Sequence, residues 1–208
     1  MVEIIPSINV VTFSEIQSRI ARIEPHVLWC HIDVTDGRFS SHVTWNNSSD
    51  LLLLDTKLKI EVHLMVQEPE KVIDTWLSCP IDRIIVHLEA SKDMDEIIKK
   101  CRNARIECGI AIRPETAWQL LLPWIKHVDF FQFLAVNPGP SGQKMSQITF
   151  ENVIHLRKSC PSCIIEIDGG INNETAKKAR ETGADILISA GYIFSHTDIA
   201  TAIQELKQ

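Results

Sequence analysis

The stretch WCHIDVTDGRF, residues 29–39, opens as a buried strand yet carries His31, Asp33 and Asp36 within six positions. Ionisable groups in an apolar run cost free energy unless something pairs or ligates them. His31 and Asp33 are two residues apart, so a strand would place both on one face. The run therefore poses two questions: what sheet buries it, and what offsets its charge.

Seven further apolar runs accompany this one: 3–8, 57–65, 83–89, 107–112, 130–136, 163–169 and 186–191. Their near-continuous Ile, Val, Leu and Phe content fits strands of a parallel sheet covered on both faces. Helical patterns lie between them. Thr12, Phe13, Ser14 and Glu15 read as a capping box ahead of Ile16, Ile20 and Ile23. EPEKVIDTWLSC (68–79) predicts a helix with Val72, Ile73, Trp76 and Leu77 on one face. DMDEIIKKCRNA (93–104) and NETAKKARETGA (173–184) follow the same logic, the second ending near Gly183. Pro123 should break or bend the segment 117–128.

Strand and helix thus alternate eight times, which predicts an α/β fold. Eight repeats of about 26 residues, with no glycine-rich dinucleotide turn, favour a single (β/α)8 TIM barrel domain over residues 1–208. The connections after the second and sixth strands are the longest and become the expected walls of a site.

Composition narrows the function. The 208-residue chain has 45% hydrophobic and 23% charged residues and a net charge of −6. That charge argues against a general nucleic-acid binder but not against a small anionic substrate. No segment reaches the ~20 apolar residues that span a bilayer. With no signal segment visible and six cysteines, a cytoplasmic protein with reduced thiols is expected. Cys160 and Cys163 are read as structural thiols, because no second pair follows at zinc-site spacing.

Polar residues gather at the carboxyl ends of the predicted strands: His31, Asp33, His63, His87, Glu89 and Asp168. In a closed barrel these ends converge on one mouth. Two histidines and two carboxylates there form a nitrogen–oxygen donor set suited to Zn²⁺, Fe²⁺, Mn²⁺ or Co²⁺. Glycine loops follow three strands: NPGPSGQ (137–143), DGGIN (168–172) and AGY (190–192). Backbone N–H groups in such loops bind anions.

Taken together, PSI (6–8), HIDVTDGRF (31–39), HLMV (63–66), VNPGPSGQ (136–143), DGGIN (168–172) and GADILIS (183–189) resemble the ribulose-phosphate 3-epimerase family. The pieces run in family order over nearly the whole chain. The resemblance implies a ribulose-phosphate-binding barrel that interconverts ribulose 5-phosphate and xylulose 5-phosphate with one divalent metal ion. It implies His31, Asp33, His63 and Asp168 as metal ligands, with Asp33 and Asp168 also as the two acid/base groups. Ser7 and His63 would lie beside the substrate. Gly139, Ser141, Gly142, Gln143, Gly169, Gly170, Ala190 and Gly191 would line the phosphate loops. The chemistry agrees, since epimerisation beside a ketone needs proton transfer on both faces of a planar enediolate.

The chain departs from the family pattern at Thr35, Leu134, Pro140, Ser141 and Ala190–Gly191. These positions bear on substrate choice more than on reaction type. A hexulose phosphate such as allulose 6-phosphate is the alternative substrate, and a non-catalytic phosphosugar-binding paralogue the alternative class. An aldolase or decarboxylase on a related barrel is disfavoured by His31 and His63. His87 and Glu89 are expected behind the ligands, against the substrate, or only hydrogen-bonded to loops; His42, in a long loop, is expected in solvent or reaching the site; Asp36 is expected as a turn cap. Trp45, Trp76, Trp118 and Trp124 are expected in the core or in subunit contacts of a homo-oligomer, with no membrane partner.

Overall fold

The computed structural model describes residues 2–208. Eight parallel strands close on themselves in sequence order: β1 (Glu3–Ile8), β2 (Trp29–Thr35), β3 (Lys59–Met65), β4 (Arg83–His87), β5 (Glu107–Ile112), β6 (Phe130–Leu134), β7 (Ile164–Asp168) and β8 (Ile186–Ser189). Each falls inside or within a residue of a predicted apolar run. The fold is a (β/α)8 TIM barrel.

The outer layer is less regular than the pattern suggested. α1 (Phe13–Ile23) starts with the expected capping box at Thr12 and Glu15 and buries Ile16, Ile20 and Ile23. α3 (Met94–Ala104), α4 (Ile148–Ser159) and α5 (Asn173–Thr182) are full helices, and Gly183 closes α5 at φ 101°. Residues 68–79 instead give a 3-10 turn at Pro69–Lys71 and a five-residue α2 (Ile73–Leu77). Ile73 and Trp76 are buried there, but Val72 is exposed, because the turn rotates it off the helix face. 3-10 segments at Ser48–Leu53 and Trp118–Trp124 take the helix position after β2 and β5. Pro123 lies inside the second, consistent with its missing N–H. Two helices follow β8, α6 (Gly191–Ser195) and α7 (Ile199–Lys207).

One large apolar cluster fills the space between barrel and helices and includes Trp45 and Trp76, with Trp118 and Trp124 partly buried against it. Apolar side chains also fill part of the barrel interior: Ile5, Trp29, Ile186 and Ile188 form one group, and Ile85, Ala111 and Phe130 another. Gly109 makes room for Phe130. A Cβ added to Gly109 would sit 2.5 Å from that ring.

Cys160 and Cys163, expected as free thiols, form a disulfide. α4 ends at Ser159 and the chain turns straight into β7, which brings the two Cα atoms to 5.4 Å, inside the bridging range. Cys30, Cys79, Cys101 and Cys108 are free.

Gly109→Ala should destabilise the barrel by about 1–3 kcal/mol through overpacking against Phe130. Chemical denaturation checks this, with an unchanged midpoint as the contrary result.

Candidate active site at the barrel mouth

β2 and β3 lie in register with Asp33 opposite His63 and His31 opposite Glu61. β7 brings Asp168 to the same end, paired with Leu134 and Ile188 on either side. Four side chains distant in sequence therefore meet. One donor atom from each of His31, Asp33, His63 and Asp168 lies within 4.8 Å of the others. Asp33 Oδ1 is 3.2 Å from both His31 Nε2 and His63 Nδ1. Asp168 Oδ2 is 3.4 Å from His63 Nδ1 and 4.0 Å from His31 Nε2. Both histidines are wholly buried, and the aspartates nearly so.

The electrostatics show what this cluster requires. Burial pushes Asp33 up, but hydrogen bonds and charge from His31 and His63 outweigh it and hold the carboxyl far below its usual range. Burial pushes His31 down, yet Asp33, Glu61 and Asp168 carry it well above the ordinary imidazole value. His63 is raised likewise, by Asp168 and Asp33 against burial and the His31 charge. Protonation of both rings is thus favoured as a counter-charge beside the aspartates. A single divalent cation offers the same charge at the point where two ring nitrogens and two carboxylate oxygens converge. The donor set fits such an ion.

Both rings are held from behind. Glu61 Oε1 accepts from His31 Nδ1 at 2.7 Å, which leaves Nε2 facing the cluster. His63 Nε2 donates to His87 Nε2 at 2.9 Å, and His87 Nδ1 donates to Glu89 Oε2 at 3.3 Å. Burial lowers His87 to about 4, so it remains a neutral acceptor. Outer partners of this kind fix tautomer and ring orientation at metal centres. His87 and Glu89 therefore sit behind the cluster, as one of the sequence readings had them, and Glu89 also bonds a loop by accepting from Arg113 N at 2.8 Å, as another did.

Above the aspartates opens a cavity of about 500 Å³. Its wall includes Ser7, Asp33 and Asp168, together with Gly139, Ser141, Gly142, Gln143, Gly169, Gly170, Ala190 and Gly191. His31 and His63 lie beneath and are not part of the wall. Gln143 Nε2 donates to Asn137 O and Pro140 O, folding the 137–143 loop onto itself. Gly170, at φ 70°, lies so close to Met145 that a Cβ would come within 2.6 Å of the Met145 backbone nitrogen. That contact packs the β7 loop against the β6 loop. The connection after β2 contributes little wall, because Asp36 ties it down by accepting from Arg38 N, Phe39 N and Gln67 N.

Several polar residues escaped the sequence reading. Asn9 Nδ2 donates to Asp33 Oδ2 and to Gly139 O, both at 3.2 Å, alongside the Ser7 hydroxyl on Asp33 Oδ2 at 2.7 Å. His42, read as solvated or reaching the site from its long loop, is half-buried with Nε2 3.1 Å from Oδ1 of Asn9, the residue that donates to Asp33. Inside the barrel, Glu61, Glu166, Gln132 and Arg83 are buried under the cluster. Glu61 and Glu166 each lie two residues before His63 and Asp168, the spacing that pairs His31 with Asp33, so the strand period alone would have placed them inward.

The family model described as the ribulose-phosphate 3 epimerase family matches residues 3–194. A protein from Chlamydia muridarum named ribulose-phosphate 3-epimerase is 37% identical over 183 residues, covering 81% of this chain and 77% of that one. One of the same name from Bacillus subtilis is 28% identical over 218 residues, covering 100% and 99%. Among solved structures, a 3-hexulose-6-phosphate synthase superposes with TM-score 0.73 at 12% identity, covering 99% of this chain and 98% of that one. A phosphoribosyl anthranilate isomerase from Thermococcus kodakaraensis gives 0.67 at 12%, covering 100% and 97%. At those identities the two structures support the fold alone.

Because His31 and His63 are raised above 6.5 in the metal-free protein, their protonated forms stabilise it below that pH and the contribution fades as pH rises through the raised values. Chelator-stripped protein should therefore melt progressively lower as pH is taken upward from 6.5, and metal loading should flatten that trend. Loading near neutral pH should also release protons, which calorimetry in buffers of different ionisation enthalpy measures. Uptake without proton release would contradict the balance described.

Proposed function

The chain belongs to the ribulose-phosphate 3-epimerase family, and from that premise we propose that it epimerises C3 of a ketose phosphate, converting D-ribulose 5-phosphate to D-xylulose 5-phosphate. The observation that carries the reading is the pair of carboxylates, Asp33 from β2 and Asp168 from β7, both on the wall of one cavity and both in the histidine cluster. In this reading each aspartate serves one face of the substrate. One removes the C3 proton and the other returns a proton to the opposite face. Strands on different sides of a closed barrel suit that bracketing arrangement.

His31, Asp33, His63 and Asp168 would hold one divalent ion, whose charge lowers the cost of the enediolate's negative charge. The remaining work falls to the chain. Ser7 and Asn9 fix the Asp33 carboxylate. Glu61 and His87 fix the rings of His31 and His63. The glycine loops after β6, β7 and β8 line one region of the cavity wall and present backbone N–H groups to the substrate phosphate. Pro140 lacks an N–H, so the β6 loop offers one donor fewer there.

Residues 1–208 act as one barrel domain in this account, within pentose phosphate metabolism. A cytoplasmic location fits the four free thiols, while the Cys160–Cys163 bridge is a feature more common in oxidising compartments. Assembly with further copies of the chain fits the neighbouring exposed side chains of Leu52 and Leu53.

In D₂O, metal-loaded protein should introduce deuterium at C3 of ribulose 5-phosphate, and a chelator should stop it. Exchange confined to a hexulose 6-phosphate would shift the substrate to six carbons. Asp33→Asn and Asp168→Asn should each lower epimerisation by about 10²–10⁴-fold. Wild-type turnover in either variant would overturn the two-base assignment.

A further inference from the structure

Gln132 lies on β6 with its side chain wholly buried inside the barrel, paired in register with Ala111 and Glu166. Its Nε2 donates to Asp168 Oδ2 at 3.0 Å. Oδ2 is also the oxygen that faces the ring nitrogens, 3.4 Å from His63 Nδ1 and 4.0 Å from His31 Nε2. The amide therefore holds one end of the carboxylate on the cluster side and leaves Oδ1 turned to the cavity. Asp33 is held in a different sense. Its Oδ1 faces the rings, while Ser7 and Asn9 donate to its outward Oδ2. The two carboxylates thus enter the cavity unequally dressed.

Stability does not explain Gln132. Its Oε1 has no hydrogen-bond partner among the described residues. A half-satisfied buried amide is costly, and Leu or Met would fill the same volume without that cost. What the glutamine supplies that an apolar residue cannot is the donor to Asp168.

We infer that Gln132 is a positioning residue for Asp168, fixing which carboxylate oxygen stays with the histidines and which addresses the substrate. This rests on the two-base reading. The amide moves no proton itself. It sets the rotamer from which Asp168 works on its own face of the substrate, and it stiffens one of the four groups that would hold the ion. Gln132 is therefore coupled to two observables, metal affinity and the exchange chemistry of one substrate face.

The test uses the full chain with Gln132→Leu and Gln132→Met, both close to the original volume. Zn²⁺ affinity is measured first by chelator competition with no substrate present. C3 exchange in D₂O is then followed from ribulose 5-phosphate and from xylulose 5-phosphate separately, with metal saturating. Both variants should bind Zn²⁺ about tenfold or more weakly, the scale of outer-partner effects at metal centres. Exchange from one epimer should fall at least about tenfold more than from the other, because only one of the two bases has lost its support. A purely structural role would lower the melting temperature and leave that ratio alone. Wild-type affinity, or a wild-type exchange ratio, in both variants overturns the inference. Should wild-type protein exchange neither epimer, the two-base reading falls, and the affinity measurement alone then decides for or against Gln132. If neither variant folds by circular dichroism, a crystal structure of the Zn²⁺-loaded wild type decides. Gln132 donating to the Asp168 oxygen that sits on the ion supports the inference, and Gln132 turned away from Asp168 refutes it.

Discussion

Burying two carboxylates requires burying positive charge with them, and the mouth of this barrel is organised around that requirement. Asp33 and Asp168 are drawn from opposite parts of the chain to within ligand distance of His31 and His63, where water cannot solvate any of them well. Without a cation, protonation of the histidines is favoured as the counter-charge. A divalent ion held by these four residues would supply that charge instead, with the rings as neutral donors. The same constraint explains why the rings are braced by Glu61 on one side and by His87 and Glu89 on the other. A ring free to rotate could satisfy the aspartates with either nitrogen.

The demand extends downward. Beneath the cluster, Glu61, Glu166, Gln132 and Arg83 occupy interior positions that in most such barrels hold branched apolar side chains. Arg83 stacks 3.9 Å over the Trp29 ring and approaches Glu61 at 3.5 Å, so it neutralises part of the buried acid from below. Glu166 meets the problem differently. Burial and the neighbouring Glu61 push its carboxyl well above the usual range, which favours its protonated form. The rest of the interior is apolar, with Phe130 packed over Gly109. Part of the interior therefore provides cohesion, and the other part accepts an energetic cost to orient the mouth.

How much of this could be read from the residues depends on which force set each element. Strands covered on both faces leave continuous apolar runs, so β1 and β5 were legible to their ends. α1 was legible from its cap and spacing. The helix expected after β3 was less so, because Pro69 opens a tight 3-10 turn that period-counting does not register; after β5, Pro123 marked the break that the 3-10 segment shows. The four cluster residues stood out because His and Asp are rare in apolar runs. Asn9, just past β1, and Gln132, within β6, did not, since a lone amide there looks the same whether it faces a helix or a carboxylate of the mouth. His42 is placed by the fold of its loop, which no local pattern encodes. The Cys160–Cys163 bridge depends on how sharply the chain turns between α4 and β7.

X-ray absorption on protein stripped and reloaded with one equivalent of Zn²⁺ tests the central claim most directly. A single ion with nitrogen and oxygen neighbours only is predicted, with an imidazole scattering pattern that diminishes when His31 or His63 is replaced. Sulfur in the coordination shell, or a spectrum indifferent to both replacements, would mean that the buried charge at this mouth is balanced in some other way.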